Sequence, residues 1–205
     1  MSLFDDTYKT IEEPSSGIYR DKGSKFIAYL FPFSEENQLK EQLAQLRDQH
    51  PKARHWCYAY RLTTDPSVFR VNDDGEPSGS AGRPILNTLL SHELTQVLAV
   101  VVRYFGGTLL GIPGLIHAYK TATVEAIAQS NIITKRLEEQ YRLDFTYASM
   151  HDVMHLIKQE NLEILKQKFD LECSIVVKIP KAQVTQILNK IEKIPDMQTC
   201  FLGNV

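Results

Sequence analysis

The spacing of apolar residues changes from segment to segment along this chain, and the changes predict its elements. Residues 17–33, GIYRDKGSKFIAYLFPF, carry β-formers interrupted by the polar stretch 21–25, which predicts a hairpin or bent strand pair with Lys22 and Lys25 near its turn. Residues 34–50 switch to helical spacing, with Leu39, Leu43 and Leu46 on one face, Ser34 as N-cap, Glu35 and Glu36 in the first turn, and Pro51 beyond the end. Residues 55–62 alternate again, placing Trp56, Tyr58 and Tyr60 on one face and His55, Cys57, Ala59 and Arg61 on the other. Residues 67–71 return as the antiparallel partner. A short helix is predicted over 84–94, with Pro84 tolerated in its first turn. The nearly continuous apolar run 97–104 reads as a strand central in its sheet. A helix of small and apolar residues follows over 114–130, with Leu115, Ala118, Ala122, Ala126 and Ile127 facing inward and Asn131 closing it. The polar, acidic residues 1–16 are expected to form an arm leading into the first strand.

The pattern restarts near Leu137. Strands around Leu143, Phe145 and Tyr147, over 163–169, over 172–179 and over 198–202 alternate with helices over 151–159 and 181–193. This is a βαββαβ order, the split βαβ arrangement of ferredoxin-like folds. An α+β protein of two domains, 1–136 and 137–205, is expected.

With 205 residues, 43% of them hydrophobic, either domain has enough material for its own core. Net charge excludes a globally basic nucleic-acid binder. Residues 1–136 carry 15 basic and 15 acidic side chains, and the remainder 8 and 10, so any polyanion contact must come from a local patch. Three cysteines without a CxxC pair argue against a disulfide framework or a Cys-rich zinc site and fit a reducing compartment. No apolar run approaches the roughly 18 residues of a membrane span and no basic leader opens the chain, so a cytoplasmic, unanchored protein is expected.

Seven of the ten glycines fall between residues 73 and 114, in two clusters flanking the apolar run. Both clusters are expected on one rim of one domain, side by side, forming the principal pocket. In the first, DDGEPSGSAGRP, backbone amides with Ser78, Ser80 and Arg83 could cradle a phosphate, although the lysine of a GxxxxGK[ST] loop is missing. Asp73, Asp74 and Glu76 could hold a divalent cation, but calcium-loop spacing is absent, and His55 with Cys57 could form a catalytic pair or two zinc ligands without any recognised further ligand. His151 and His155 lack the glutamate of HExxH. No metal and no cofactor are expected. Arginines at 54, 61, 70, 83 and 103, with Lys25, Lys52 and Lys120, could gather into a basic surface on which Tyr58, Tyr104 and Phe105 stack bases. The candidate ligand- or polyanion-binding set is Lys25, Arg54, His55, Arg61, Asp74, Gly75, Glu76, Ser78, Gly79, Ser80, Gly82, Arg83, Arg103, Tyr104, Gly106, Gly107 and Gly111.

Residues HWCYA at 55–59, DDGEPSGSAGRP at 73–84 and RYFGGTLLGIPGLIHAY at 103–119 together resemble the signature of the IMPACT/YigZ family. The resemblance covers most of residues 17–136. It implies a first domain with the left-handed βαβ fold shared by a domain of elongation factor G, a small-subunit ribosomal protein and the GHMP kinases. It implies that residues 137–205 are similar to the C-terminal domain of elongation factor G, and that the protein is linked to translation. Eukaryotic relatives restrain an initiation-factor kinase by competing for its activator, but through an additional RWD domain outside the resemblance, so that mechanism is not carried over. Two function classes follow. One is a translation-associated binding protein contacting RNA, the ribosome or a translation factor; the other is a phosphate- or nucleotide-handling enzyme using loop 73–83. The absence of a base placed beside a nucleophile favours the first.

Overall fold

The computed structural model describes residues 6–65, 67–170 and 173–204, with the side chain of Asn204 left aside. They form an α+β protein of eleven strands and five helices that separates into two compact units. One spans Tyr8–Thr134. The other runs from Lys135 onward and includes Asp6 and Thr7.

The first unit holds β1 (Thr7–Ile11), β2 (Ser15–Asp21), β3 (Ser24–Pro32), α1 (Gln38–Gln49), β4 (His55–Arg61), β5 (Phe69–Asn72), α2 (Gly82–Ser91), β6 (Val97–Tyr104), α3 (Gly111–Ala128) and most of β7 (Ile132–Arg136). Its main sheet has the order β2-β3-β6-β4-β5, antiparallel throughout. β6 is central, as its unbroken apolar run demands. Val97, Ala99 and Val101 join Phe26, Ala28 and Leu30 of β3 and Cys57 and Ala59 of β4 in a core with α2 and α3. Leu98 and Val100 face the other way, packing with Leu46 of α1 and with Tyr60. A strand covered on both faces has no solvent side to mark with polar residues, so its alternation disappears from the sequence. Each fully buried Val or Leu contributes roughly 1.5–3 kcal/mol.

Two expectations change here. Residues 1–5 of the expected arm lie outside the described residues, but Thr7–Ile11 form β1, paired with β7 in a two-stranded ladder, and Ser15–Asp21 form β2. The signal was the alternation of buried Tyr8 and Thr10 with exposed Thr7 and Lys9, obscured by the surrounding acids. Ser34 is not the cap of α1. The helix begins at Gln38 after Asn37, and the Gln38 side chain instead accepts the backbone N–H groups of Ser34 and Glu35.

The second unit contains β8 (Glu138–Phe145), α4 (Met150–Gln159), β9 (Glu163–Phe169), β10 (Cys173–Pro180), α5 (Val184–Ile191) and β11 (Gln198–Asn204). The sheet order is β11-β8-β10-β9, all antiparallel, so that in units of the βαββαβ motif the strands run 4-1-3-2. Tyr147, expected on the first strand, lies in a short 3-10 turn, and Glu172, expected to open the third, lies outside the described residues. Leu143, Phe145, Ile175, Val177 and Ile179 pack with Val153, Leu156, Ile187 and Ile191 of α4 and α5 in a separate core. Among the described residues no helix is long and apolar enough to cross a membrane.

His50 fastens the end of α1 to the sheet. Its Nε2 lies 2.7 Å from the Tyr29 hydroxyl of β3 and its Nδ1 2.8 Å from the Tyr104 hydroxyl of β6. Burial, and then the Lys25 cation, hold its pKa below the ordinary histidine value. A lowered folded pKa means that the unfolded chain binds the proton more readily, so this contribution is complete above about pH 6.5 and is lost as the pH falls through the folded value. Urea midpoints measured from pH 7 to pH 5 are expected to fall less steeply for His50→Gln than for the wild type; parallel slopes would contradict the assignment.

Candidate functional site

Both glycine loops start at the same end of the main sheet. β5 ends at Asn72, opposite Tyr58 in the middle of β4, and β6 ends at Tyr104, one residue beyond the Arg103–His55 pair. The first loop is organised by a carboxylate of its own. Asp73 Oδ2 accepts the Gly79 amide at 2.8 Å, and Oδ1 accepts the amides of Ala81 and Gly82 at 3.1 and 2.8 Å, where α2 begins. The Glu76 amide goes to the Asp73 carbonyl, and Pro77 O takes both the Ser80 amide and the Ser80 hydroxyl. A helix N-terminus attracts an anion, and here the chain supplies it. Gly82 lies so near Asn72 that a Cβ would stand 2.9 Å from the Asn72 nitrogen, which fixes how tightly the loop closes.

Asp74 pins this loop to β4. Its Oδ2 accepts the Trp56 amide at 2.7 Å and its carbonyl accepts His55 Nδ1–H at 2.8 Å, so the imidazole turns Nε2 toward Glu76 Oε1 at 3.9 Å. The Glu76 carboxylate is buried and is the hub of the site. It receives Arg103 at 2.5 Å and the Tyr119 hydroxyl at 2.8 Å. Arg103 points to the α3 side of β6, between the rings of Phe26 and Phe105 at 5.3 and 5.6 Å. The Cys57 thiol lies 3.3 Å from the Tyr119 oxygen and 3.0 Å from the Asp73 carbonyl. Burial is the largest influence on both groups and pushes the Cys57 thiol and the Tyr119 phenol far above their ordinary values. A thiol held protonated is a poor nucleophile and metal ligand, so Cys57 is a packing residue rather than half of a Cys/His pair.

The second loop is seated by Gly106. A Cβ there would fall 1.9 Å from the Gly23 carbonyl carbon at the tip of the β2–β3 hairpin, and the Gly106 amide donates to Ser24 Oγ at 3.2 Å. Gly107 and Gly111 are exposed beyond it.

These positions correct several expectations. Arg61 is 5% exposed and sits at the far end of β4, about 20 Å from His55 for six extended residues, donating to Leu94 O and Thr64 O. Arg103 is equally buried and neutralised by Glu76. Neither can meet a polyanion. Ser80 is buried and bonded within the loop rather than facing a pocket, and the amides of Gly79, Ser80, Ala81 and Gly82 already have acceptors in Asp73 and Pro77. The loop therefore does not present the phosphate nest on which a nucleotide-handling reading depended. Tyr104 and Lys25 lie across β6 and β3 from each other on the α1 side, with Tyr104 bound to His50. Arg54 is exposed, with its amide on Arg103 O at 3.1 Å, and Arg83 is exposed with its guanidinium over the Phe69 ring. Gly75, Ser78 and Gly79 are exposed. Sequence reasoning missed Tyr119 as a partner of the loop. Its signal is a single large hydroxyl-bearing residue among Leu115, Ala118 and Ala122, on the inward stripe of α3.

Residues 22–127, which contain both loops and the whole Glu76 network, match the family description Impact N-terminal domain. The chain belongs to the IMPACT family. It is 31% identical to the IMPACT family member YigZ of Escherichia coli, over 87% of this chain and 88% of that protein. It is 34% identical to an IMPACT family member of Haemophilus influenzae, over 80% of each. A solved structure described as a hypothetical protein superposes with a TM-score of 0.76 at 28% identity, covering 96% of this chain and 98% of the other. The IMPACT match thus falls on the residues whose contacts hold the rim together.

Glu76→Gln removes the anion that neutralises a buried arginine and is expected to destabilise the fold by about 3–5 kcal/mol. Tyr119→Phe deletes one buried hydroxyl and is expected to cost about 1–3 kcal/mol. Urea denaturation of both variants checks the order; equal, negligible losses would mean that the network does not hold the fold.

Proposed function

We propose that this IMPACT family member is a non-enzymatic, translation-associated binding protein that acts in the cytoplasm, its first unit contacting RNA, the ribosome or a translation factor. One observation carries the reading. At the end of the sheet from which both loops start, the polar groups suited to chemistry are bonded to one another, whereas Lys22, Lys25, Lys52 and Arg54 make no side-chain ion pair among the described residues. Cations without internal acids, beside the half-buried Tyr104 and exposed Phe105, suit a charged partner better than a transformed substrate.

Family membership supports the link to translation, and the 4-1-3-2 strand order of the second unit is compatible with the proposed likeness to the last domain of elongation factor G. The proposed left-handed βαβ kinship of the first unit with ribosomal proteins points the same way. Of the arginines and lysines expected from sequence to gather, Lys25, Lys52 and Arg54 make up the proposed cation surface, joined by Lys22 at the hairpin tip.

Sedimentation with ribosomes across a salt series tests this. Lys25→Ala and Arg54→Ala are each expected to weaken association and lower the salt slope by about one unit without a preference among RNA sequences. Unchanged association in the double variant, or selective thermal stabilisation by one nucleotide, would overturn the reading.

A further inference from the structure

We propose that the outer face of the second loop and of the first turns of α3 is a docking face for an acidic amphipathic helix of a partner protein. This rests on the reading above that the rim is a binding surface, and it names the partner's chemistry. Leu109, Ile112 and Ile116 are 83%, 53% and 40% exposed. Ile112 and Ile116, four residues apart, share an outer stripe on the first turns of α3 beside the inward stripe of Leu115, Ala118, Tyr119 and Ala122, and Leu109 lies in the loop just before the helix. Large aliphatic side chains left in water on the first turns of a helix whose inward stripe is packed, with another in the loop leading into it, form a surface that a second amphipathic helix covers.

Charge selects that helix. Residues 94–124 contain no aspartate or glutamate, an interval that includes the whole stripe. The next residue along the stripe by helical spacing is Lys120, exposed and without a side-chain partner among the described residues. At the other end the hairpin tip presses Gly23 onto Gly106, which brings exposed Lys22 to the start of the loop. A face with an aliphatic centre, Lys120 and Lys22 at its ends and no acidic residue between 94 and 124 matches a helix with an apolar stripe flanked by Glu or Asp. A lipid surface has the same signs of charge, but three aliphatic side chains and two lysines fall short of the broad apolar face and basic cluster of a membrane-bound helix.

The test uses the full chain and a fluorescein-labelled synthetic helix of about 18 residues, long enough to fold on binding, with Leu at two helical faces' spacing and Glu on the flanks. Its controls are the same peptide with Lys in place of Glu, vesicles of phosphatidylcholine with phosphatidylserine, and a poly-uridine oligonucleotide. The acidic peptide is expected to bind the wild type and to lose about tenfold or more in affinity against Leu109→Glu and Ile116→Glu. Ile18→Glu, a comparably exposed aliphatic residue on the edge strand β2, is expected to bind like the wild type. The substitutions are at the surface, and unchanged thermal melting verifies folding. No binding of the acidic peptide, equal binding of the lysine peptide, or an effect of Leu109→Glu confined to vesicles or RNA would overturn the docking face. Ribosome sedimentation of the same variants separates the two readings. Association that still responds to Arg54→Ala while the peptide fails to bind leaves the functional reading standing without this docking face.

Discussion

A carboxylate withdrawn from water must find donors, and in this protein the buried Glu76 and the half-buried Asp73 find them within the chain itself. Asp73 gathers the amides at the start of α2, and Glu76 gathers Arg103 from β6 and Tyr119 from α3. The rest of the rim follows from those two anions. The first loop takes its shape around Asp73, the Arg103 charge is neutralised below the surface, and the hydroxyl of Tyr119 carries the connection on to Cys57. Desolvation makes each of these groups expensive to leave alone, so the set is mutually required.

The central strand explains why neighbours in sequence part company. Arg103 and Tyr104 are adjacent, yet β6 sends one to the α3 face and the other to the α1 face, where Tyr104 joins Tyr29 and His50. A surface drawn from residues close in sequence is therefore divided by the sheet. What both faces share is the end of the sheet itself, where exposed Lys22, Lys52, Arg54 and Phe105 accompany the polar loop residue Ser78. Those residues suit the proposed binding role better than proton transfer or nucleophilic attack. The match to the Impact N-terminal domain, residues 22–127, covers this same region of the chain.

Much of the architecture was legible because it depends on period. The strands 97–104 and 163–169 were read to the residue, and the alternation of residues 55–61 assigned both faces of β4. The two glycine clusters were correctly set at one end of one unit. What could not be read was the sign of each polar residue's role. Arg61 and Arg54 look alike in sequence, but one is buried against carbonyl oxygens and the other is exposed. Asp73 looked like a ligand for something external because sequence does not show that its nearest donors are six to nine residues ahead in its own loop. β1 was hidden because its partner, β7, lies more than a hundred residues away.

The central claim is that the glycine loop is a closed scaffold and that recognition happens on its outside. Amide hydrogen exchange read residue by residue at Gly79, Ala81 and Gly82 tests it most directly. The account predicts slow exchange in the free protein that inorganic phosphate leaves unchanged, because Asp73 already accepts those three hydrogens. Fast exchange in the free protein that phosphate slows would show an open anion site and contradict it.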